Sequence, residues 1–77
     1  MKYKIYIIED DLSISALLKE YIDKYGFEVT VVENFEEIMQ GFNECNPDLV
    51  LLDVNLPKFD GFYWCKKIRQ QSKIPII

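Results

Sequence analysis

Apolar runs and apolar stripes alternate along this chain. Ile5-Tyr6-Ile7-Ile8 is an unbroken apolar run rich in β-branched side chains, which predicts a strand covered on both faces. Ile14, Leu17, Leu18, Tyr21, Ile22 and Tyr25 then recur at three- and four-residue steps, which predicts a helix with one apolar stripe. Gly26 is placed to end that helix in a left-handed conformation. Phe27, Val29 and Val31 alternate with Glu28 and Thr30, the mark of a half-exposed strand at a sheet edge. Asn34 reads as a helix cap with Glu37 as its capping-box partner, and Ile38, Met39 and Phe42 form the buried face of a short second helix. Proline disfavours helix in the residue before it, so this helix ends near Asn46-Pro47. Leu49-Val50-Leu51-Leu52 is the second fully buried strand. Beyond the Pro57 to Gly61 loop, Gly61, Trp64, Cys65 and Ile68 share one face of a third helix, and Ile74-Pro75-Ile76-Ile77 starts a fourth strand.

Strands that alternate with helices predict an α/β fold: a parallel sheet with right-handed crossovers and flanking helices. The two most apolar strands belong side by side in the centre and the alternating one at the edge. That gives the order 2-1-3-4, the opening part of a flavodoxin-like (CheY-like) sheet. Ligand chemistry in such sheets collects at the carboxyl ends of the strands.

Seventy-seven residues make one domain with a marginal core. A net charge of −4, with its only basic grouping at Lys66-Lys67-x-Arg69, excludes the basic stripe of a nucleic-acid surface. Cys45 and Cys65 have no metal-ligand spacing and there is no histidine, so both read as reduced and structural, as in a cytoplasmic chain. The apolar run that follows Met1-Lys2-Tyr3-Lys4 is too short for a signal peptide or a membrane span.

Two acidic clusters fall at strand ends: Glu9-Asp10-Asp11 after the first buried strand and Asp53 after the second. Each has a bland explanation. Asp10 and Asp11 precede a helix, where acids favour the positive end of the macrodipole. Asp53 precedes a loop, where a lone aspartate is usually a turn or cap residue. Neither explanation accounts for both clusters meeting at the same end of neighbouring strands. Converging carboxylates raise the cost of ionising one another. A hard divalent cation such as Mg²⁺ would relieve that repulsion through oxygen ligands.

These residues resemble the receiver domain of a bacterial two-component response regulator. The resemblance covers the whole chain: Ile5 to Asp11 as first strand and acidic pair, Leu49 to Pro57 as third strand and phosphoacceptor loop, and Asp60-Gly61 opening the next helix. It is strongest to the OmpR/PhoB class, and the run from Leu56 to Cys65 is similar to regulators paired with bacitracin and antimicrobial-peptide sensor kinases. The resemblance implies that Asp53 is the phosphoacceptor. It implies that Glu9 (through water) and Asp10 (directly) hold Mg²⁺ together with Asp53 and the backbone carbonyl of Asn55, and that Pro57 and Gly61 shape the loop. The implied partner is a sensor histidine kinase, with DNA reached only through a C-terminal domain not present here. The implied activity is the chain's own phosphotransfer and dephosphorylation rather than that of a separate enzyme.

The family also places a Thr or Ser after the fourth strand and a Lys after the fifth. Both would fall beyond Ile77, so residues 1–77 read as the N-terminal portion of a receiver, without its last strand and last two helices. Lys58 is a candidate for offsetting the missing charge. The bare outer edge of the fourth strand predicts self-association or strand exchange through Lys73 to Ile77. Two other functions stay in play. An aspartyl phosphatase resembles Asp-x-Asp-x-Thr, but Asp53-Val54-Asn55-Leu56-Pro57 lacks the general acid. A receiver-like fragment that only folds or dimerises would have no reason to keep a working Mg²⁺ site.

Overall fold

The computed structural model describes residues 3–53 and 61–77, with Gly61 and Phe62 described as backbone only. Strand β1 (Lys4–Ile8) leads into helix α1 (Leu12–Asp23), then strand β2 (Glu28–Val31), helix α2 (Ile38–Cys45), strand β3 (Leu49–Leu52) and helix α3 (Gly61–Arg69). The three strands form one parallel sheet in the order β2-β1-β3.

The predicted sheet order follows from burial. β1 is buried from Ile5 to Ile8 and has a strand on either side, whereas β2 alternates exposed and half-buried residues and, among the described residues, pairs with β1 alone. The fourth segment is shorter than expected: a single parallel bridge joins Val50 to Ile76 on the far side of β3. Backbone bonds from Val50 N to Pro75 O (3.0 Å), Leu52 N to Ile77 O (2.9 Å) and Ile77 N to Val50 O (2.9 Å) hold it there. The flavodoxin-like order 2-1-3-4 is thus present, with the last member reduced to a bridge.

Side chains alternate across a strand, so β1 and β3 serve two layers. Tyr6, Ile8 and Val50 meet Ile38 and Phe42 of α2 and Trp64 and Ile68 of α3 in one continuous buried cluster. The Tyr6 hydroxyl donates to the Ile38 carbonyl at 2.9 Å, locking the start of α2 to the central strand. Burial, then the charges of Cys45 and Glu44, push this phenol up to about 12, so it stays a donor. Gly41 makes room for it, because a Cβ there would fall 2.5 Å from the Tyr6 oxygen.

One expectation needs correction. Asn34 does not open an α-helix through a capping box with Glu37. Its side chain accepts from Glu36 N at 2.9 Å and caps a 3₁₀ turn at Phe35–Glu37, and α2 starts only at Ile38. The local pattern for a cap is the same in both cases, and the Tyr6 bond to Ile38 is where the α-helix begins. The helix predicted from the apolar stripe is present as α1, with the stripe only partly covered. α1 is turned so that Ser15 is buried and Leu18 and Ile22 half-buried, leaving Ile14, Leu17, Tyr21 and Tyr25 exposed. α2 ends as expected, with Asn46 in the left-handed region (φ 50°) and its N–H donating to Phe42 O at 2.9 Å.

Candidate functional site

Register brings the two acidic clusters together. Ile8 lies opposite Leu52 in the β1–β3 ladder, and the ladder extends one step further, with Asp53 N donating to Ile8 O at 2.9 Å. Asp53 therefore leaves β3 beside the point where Glu9 leaves β1. One carboxylate oxygen from each of Glu9, Asp10 and Asp53 can be chosen so that all three lie within 4.8 Å of one another.

Asp11 has a different task. Its side chain accepts from Ser13 N (2.9 Å) and Ile14 N (3.2 Å) and so caps α1, satisfying amides that the helix cannot satisfy itself. The helix-cap explanation holds for Asp11 and not for Asp10, which is exposed and turned to the cluster. Asp11 N also donates to Glu9 Oε2 at 3.3 Å, which steadies the turn between strand and helix. Of the other predicted residues, Gly61 is the first residue of α3, while Asn55, Pro57 and Lys58 lie outside the described residues.

Burial and a neighbouring carboxylate both act on Glu9. Loss of hydration first, then a hydrogen bond with Asp53 and the charge of Asp53, push its carboxyl up to about 7. A carboxyl raised by burial and by an adjoining carboxylate is one whose ionised form a cation would stabilise. Three oxygen donors at this separation, from groups that repel one another, fit a hard divalent ion of the Mg²⁺ type. A hollow of about 210 Å³ opens beside Glu9 and Asp53, whereas two larger ones, about 400 Å³ beside β2 and about 480 Å³ between α2 and α3, do not touch these carboxylates.

Comparison with known proteins agrees with this arrangement. The family model for the response regulator receiver domain matches residues 5–77. The transcriptional regulatory protein YvcP of Bacillus subtilis is 53% identical over 75 residues, covering 97% of this chain and 32% of that protein. The N-terminal domain of the nisin resistance regulator NsrR superposes with a TM-score of 0.92 at 42% identity, over 99% of this chain and 64% of that one. The response regulator TrrA, solved in complex with the histidine kinase ThkA, gives a TM-score of 0.85 at 35% identity, over 99% of this chain and 66% of that one. The chain belongs to the response regulator receiver domain family. It spans about a third of the length of the curated relatives it matches. No helix among the described residues is long and apolar enough to cross a membrane.

Proposed function

We propose that this chain is a Mg²⁺-dependent phosphoacceptor, modified on Asp53 by a partner histidine kinase. The observation that carries the reading is the convergence of Glu9, Asp10 and Asp53 at the carboxyl ends of β1 and β3. Asp53 Oδ attacks the phosphoryl group, the new O–P bond forms as the donor's P–N bond breaks, and the leaving imidazole takes a proton from water. Bound Mg²⁺ supplies positive charge against the phosphoryl oxygens, which is most of what such a transfer needs. Asp10 and Asp53 directly and Glu9 through water would hold that ion, with the Asn55 backbone carbonyl as the further ligand this reading expects. Pro57 and Gly61 shape the loop, and Lys58 adds charge. The acyl phosphate is a mixed anhydride that water removes, so the mark is temporary. TrrA is solved with a kinase and NsrR regulates nisin resistance, which supports a sensor kinase partner and a peptide-antibiotic signal. In this reading residues 1–77 are the N-terminal portion of a receiver in a cytoplasmic regulator, and a DNA-binding domain elsewhere in the longer protein controls transcription.

The test is intact-mass spectrometry after incubation with Mg²⁺ and acetyl phosphate. One phosphoryl adduct, absent in Asp53→Ala and without Mg²⁺, supports the reading; no adduct on the wild-type chain overturns it for these residues. Unchanged transfer in Lys58→Ala removes Lys58 from the scheme.

A second reading, a module that assembles without phosphate chemistry, is favoured by the Ile76 bridge. In it Lys73 to Ile77, joined to β3 by the single Val50–Ile76 bridge, exchanges or pairs with the same segment of another chain. A strictly monomeric chain at high concentration counts against it.

A further inference from the structure

We infer that Asp11 is a positioning residue for the Glu9–Asp10–Asp53 site, and that its cap on α1 sets how tightly the site holds its ion. The inference rests on the phosphoacceptor reading and adds to it a residue outside the group of converging carboxylates. Glu9 and Asp10 form a two-residue span between two fixed points. Upstream, Ile8 has no exposed surface, and its carbonyl accepts from Asp53 N at 2.9 Å. Downstream, Asp11 carries three bonds that belong to α1. Its Oδ1 accepts from Ser13 N at 2.9 Å and Ile14 N at 3.2 Å, and its carbonyl accepts from Ser15 N at 2.9 Å. Asp11 also acts on a ligand directly, since its own N–H donates to Glu9 Oε2 at 3.3 Å. The first turn it caps is anchored inside the molecule: Ser15 is 3% exposed, and its hydroxyl donates to the Leu12 carbonyl at 3.2 Å.

Carboxylates that repel one another spread apart unless the backbone beneath them is held. Without a side-chain acceptor at Asp11, the Ser13 and Ile14 amides turn to water and the first turn of α1 frays. Fraying releases the downstream end of the span, and Glu9 and Asp10 no longer share one arrangement. A turn formed only about a tenth of the time would lower the apparent affinity for an ion about tenfold. Groups that orient metal ligands without touching the ion commonly matter by about 10- to 100-fold in affinity. Asn keeps the acceptor oxygen of Asp and drops only its charge, so Asp11→Asn separates the cap from the charge. Asp11 is exposed, where solvent and salt screen that charge.

The experiment is calorimetric titration with MgCl₂ of the wild-type chain, Asp11→Ala, Asp11→Asn and Asn34→Ala. Asn34 caps the separate turn at Phe35–Glu37, so Asn34→Ala removes a cap of the same kind elsewhere. Asp11→Ala should weaken Mg²⁺ binding about tenfold, the equivalent of about 1.4 kcal/mol. Asp11→Asn and Asn34→Ala should stay within about threefold of the wild type. Two-dimensional NMR of the metal-free Asp11→Ala chain should show the amides of Glu9, Asp10 and Asp53 displaced and those of Tyr6 and Ile68 unmoved. Equal losses in Asp11→Ala and Asp11→Asn assign the effect to charge and overturn the inference. An equal loss in Asn34→Ala assigns it to global stability and overturns it too. Wild-type affinity in Asp11→Ala, or a collapse of the Tyr6 and Ile68 signals there, does the same. A wild-type chain that binds no Mg²⁺ overturns the phosphoacceptor reading itself, and the inference with it.

Discussion

The two faces of the sheet carry equally apolar residues and end up in different states. On the α2–α3 side, Tyr6, Ile8, Val50, Ile38, Phe42, Trp64 and Ile68 close on one another and none reaches water appreciably. On the α1 side, Ile5 and Ile7 are buried, but the helix above them covers only part of the layer and leaves Leu17 and Tyr21 in solvent. Apolar periodicity reports how wide a stripe is. It does not report whether a neighbour exists for each half of it.

The largest effect should come from breaking the closed face. Ile68 has no exposed surface, so Ile68→Ala should cost about 2–5 kcal/mol and, in so small a domain, remove the cooperative transition in urea. Leu17→Ala on the open face should change monomer stability by less than about 0.5 kcal/mol. Comparable losses in the two variants would mean that the faces are equally packed.

A smaller effect sharpens the same contrast at Gly41. Gly41→Ala drives a methyl into the Tyr6 hydroxyl, at a cost of about 1–3 kcal/mol that the gain in helix propensity offsets by about 1 kcal/mol. Tyr6→Phe removes the obstacle together with the bond to Ile38. A double-mutant cycle in urea denaturation should therefore show the double variant less destabilised than the sum of the singles. Additive losses would mean that the two residues do not meet.

The pH dependence should be gentler still. The Glu9 carboxyl is raised to about 7 in the folded chain from an ordinary 4.5, so the folded state holds this proton more tightly than the unfolded one. Any stability it contributes is fully present below about pH 4.5 and is lost as pH rises through about 7. Mg²⁺ competes with the same proton, so its affinity should climb between about pH 5 and 8, and the climb should flatten in Glu9→Gln. Calorimetric titration at several pH values reads this directly, and a pH-independent affinity in the wild type would remove Glu9 from the ion's environment.

Much of this was readable in the chain. The unbroken runs Ile5–Ile8 and Leu49–Leu52 announced central strands, and the alternation around Val29 announced an edge. From strand order alone the acidic clusters could be placed at one end of the sheet, because parallel neighbours finish on the same side. Other features depend on tertiary contact. The 3₁₀ turn at Phe35–Glu37 shares its Asx signal with an α-helix start, and the Tyr6 bond to Ile38, at the point where α2 begins, is a contact no local pattern announces. Nothing local distinguishes Gly41 from a glycine that is merely tolerated in a helix. Asp10 and Asp11 look alike in sequence. Their separation into cluster and cap follows from where α1 begins.

The central claim is that Glu9, Asp10 and Asp53 form a cation site at the ends of β1 and β3. Two-dimensional NMR of the isotope-labelled chain during a Mg²⁺ titration tests it most directly. The account predicts saturable shifts centred on the amides of Glu9, Asp10 and Asp53, abolished in Asp53→Ala while the remaining spectrum is preserved. Shifts that never saturate, are spread over the other surface carboxylates, or persist in Asp53→Ala would contradict it.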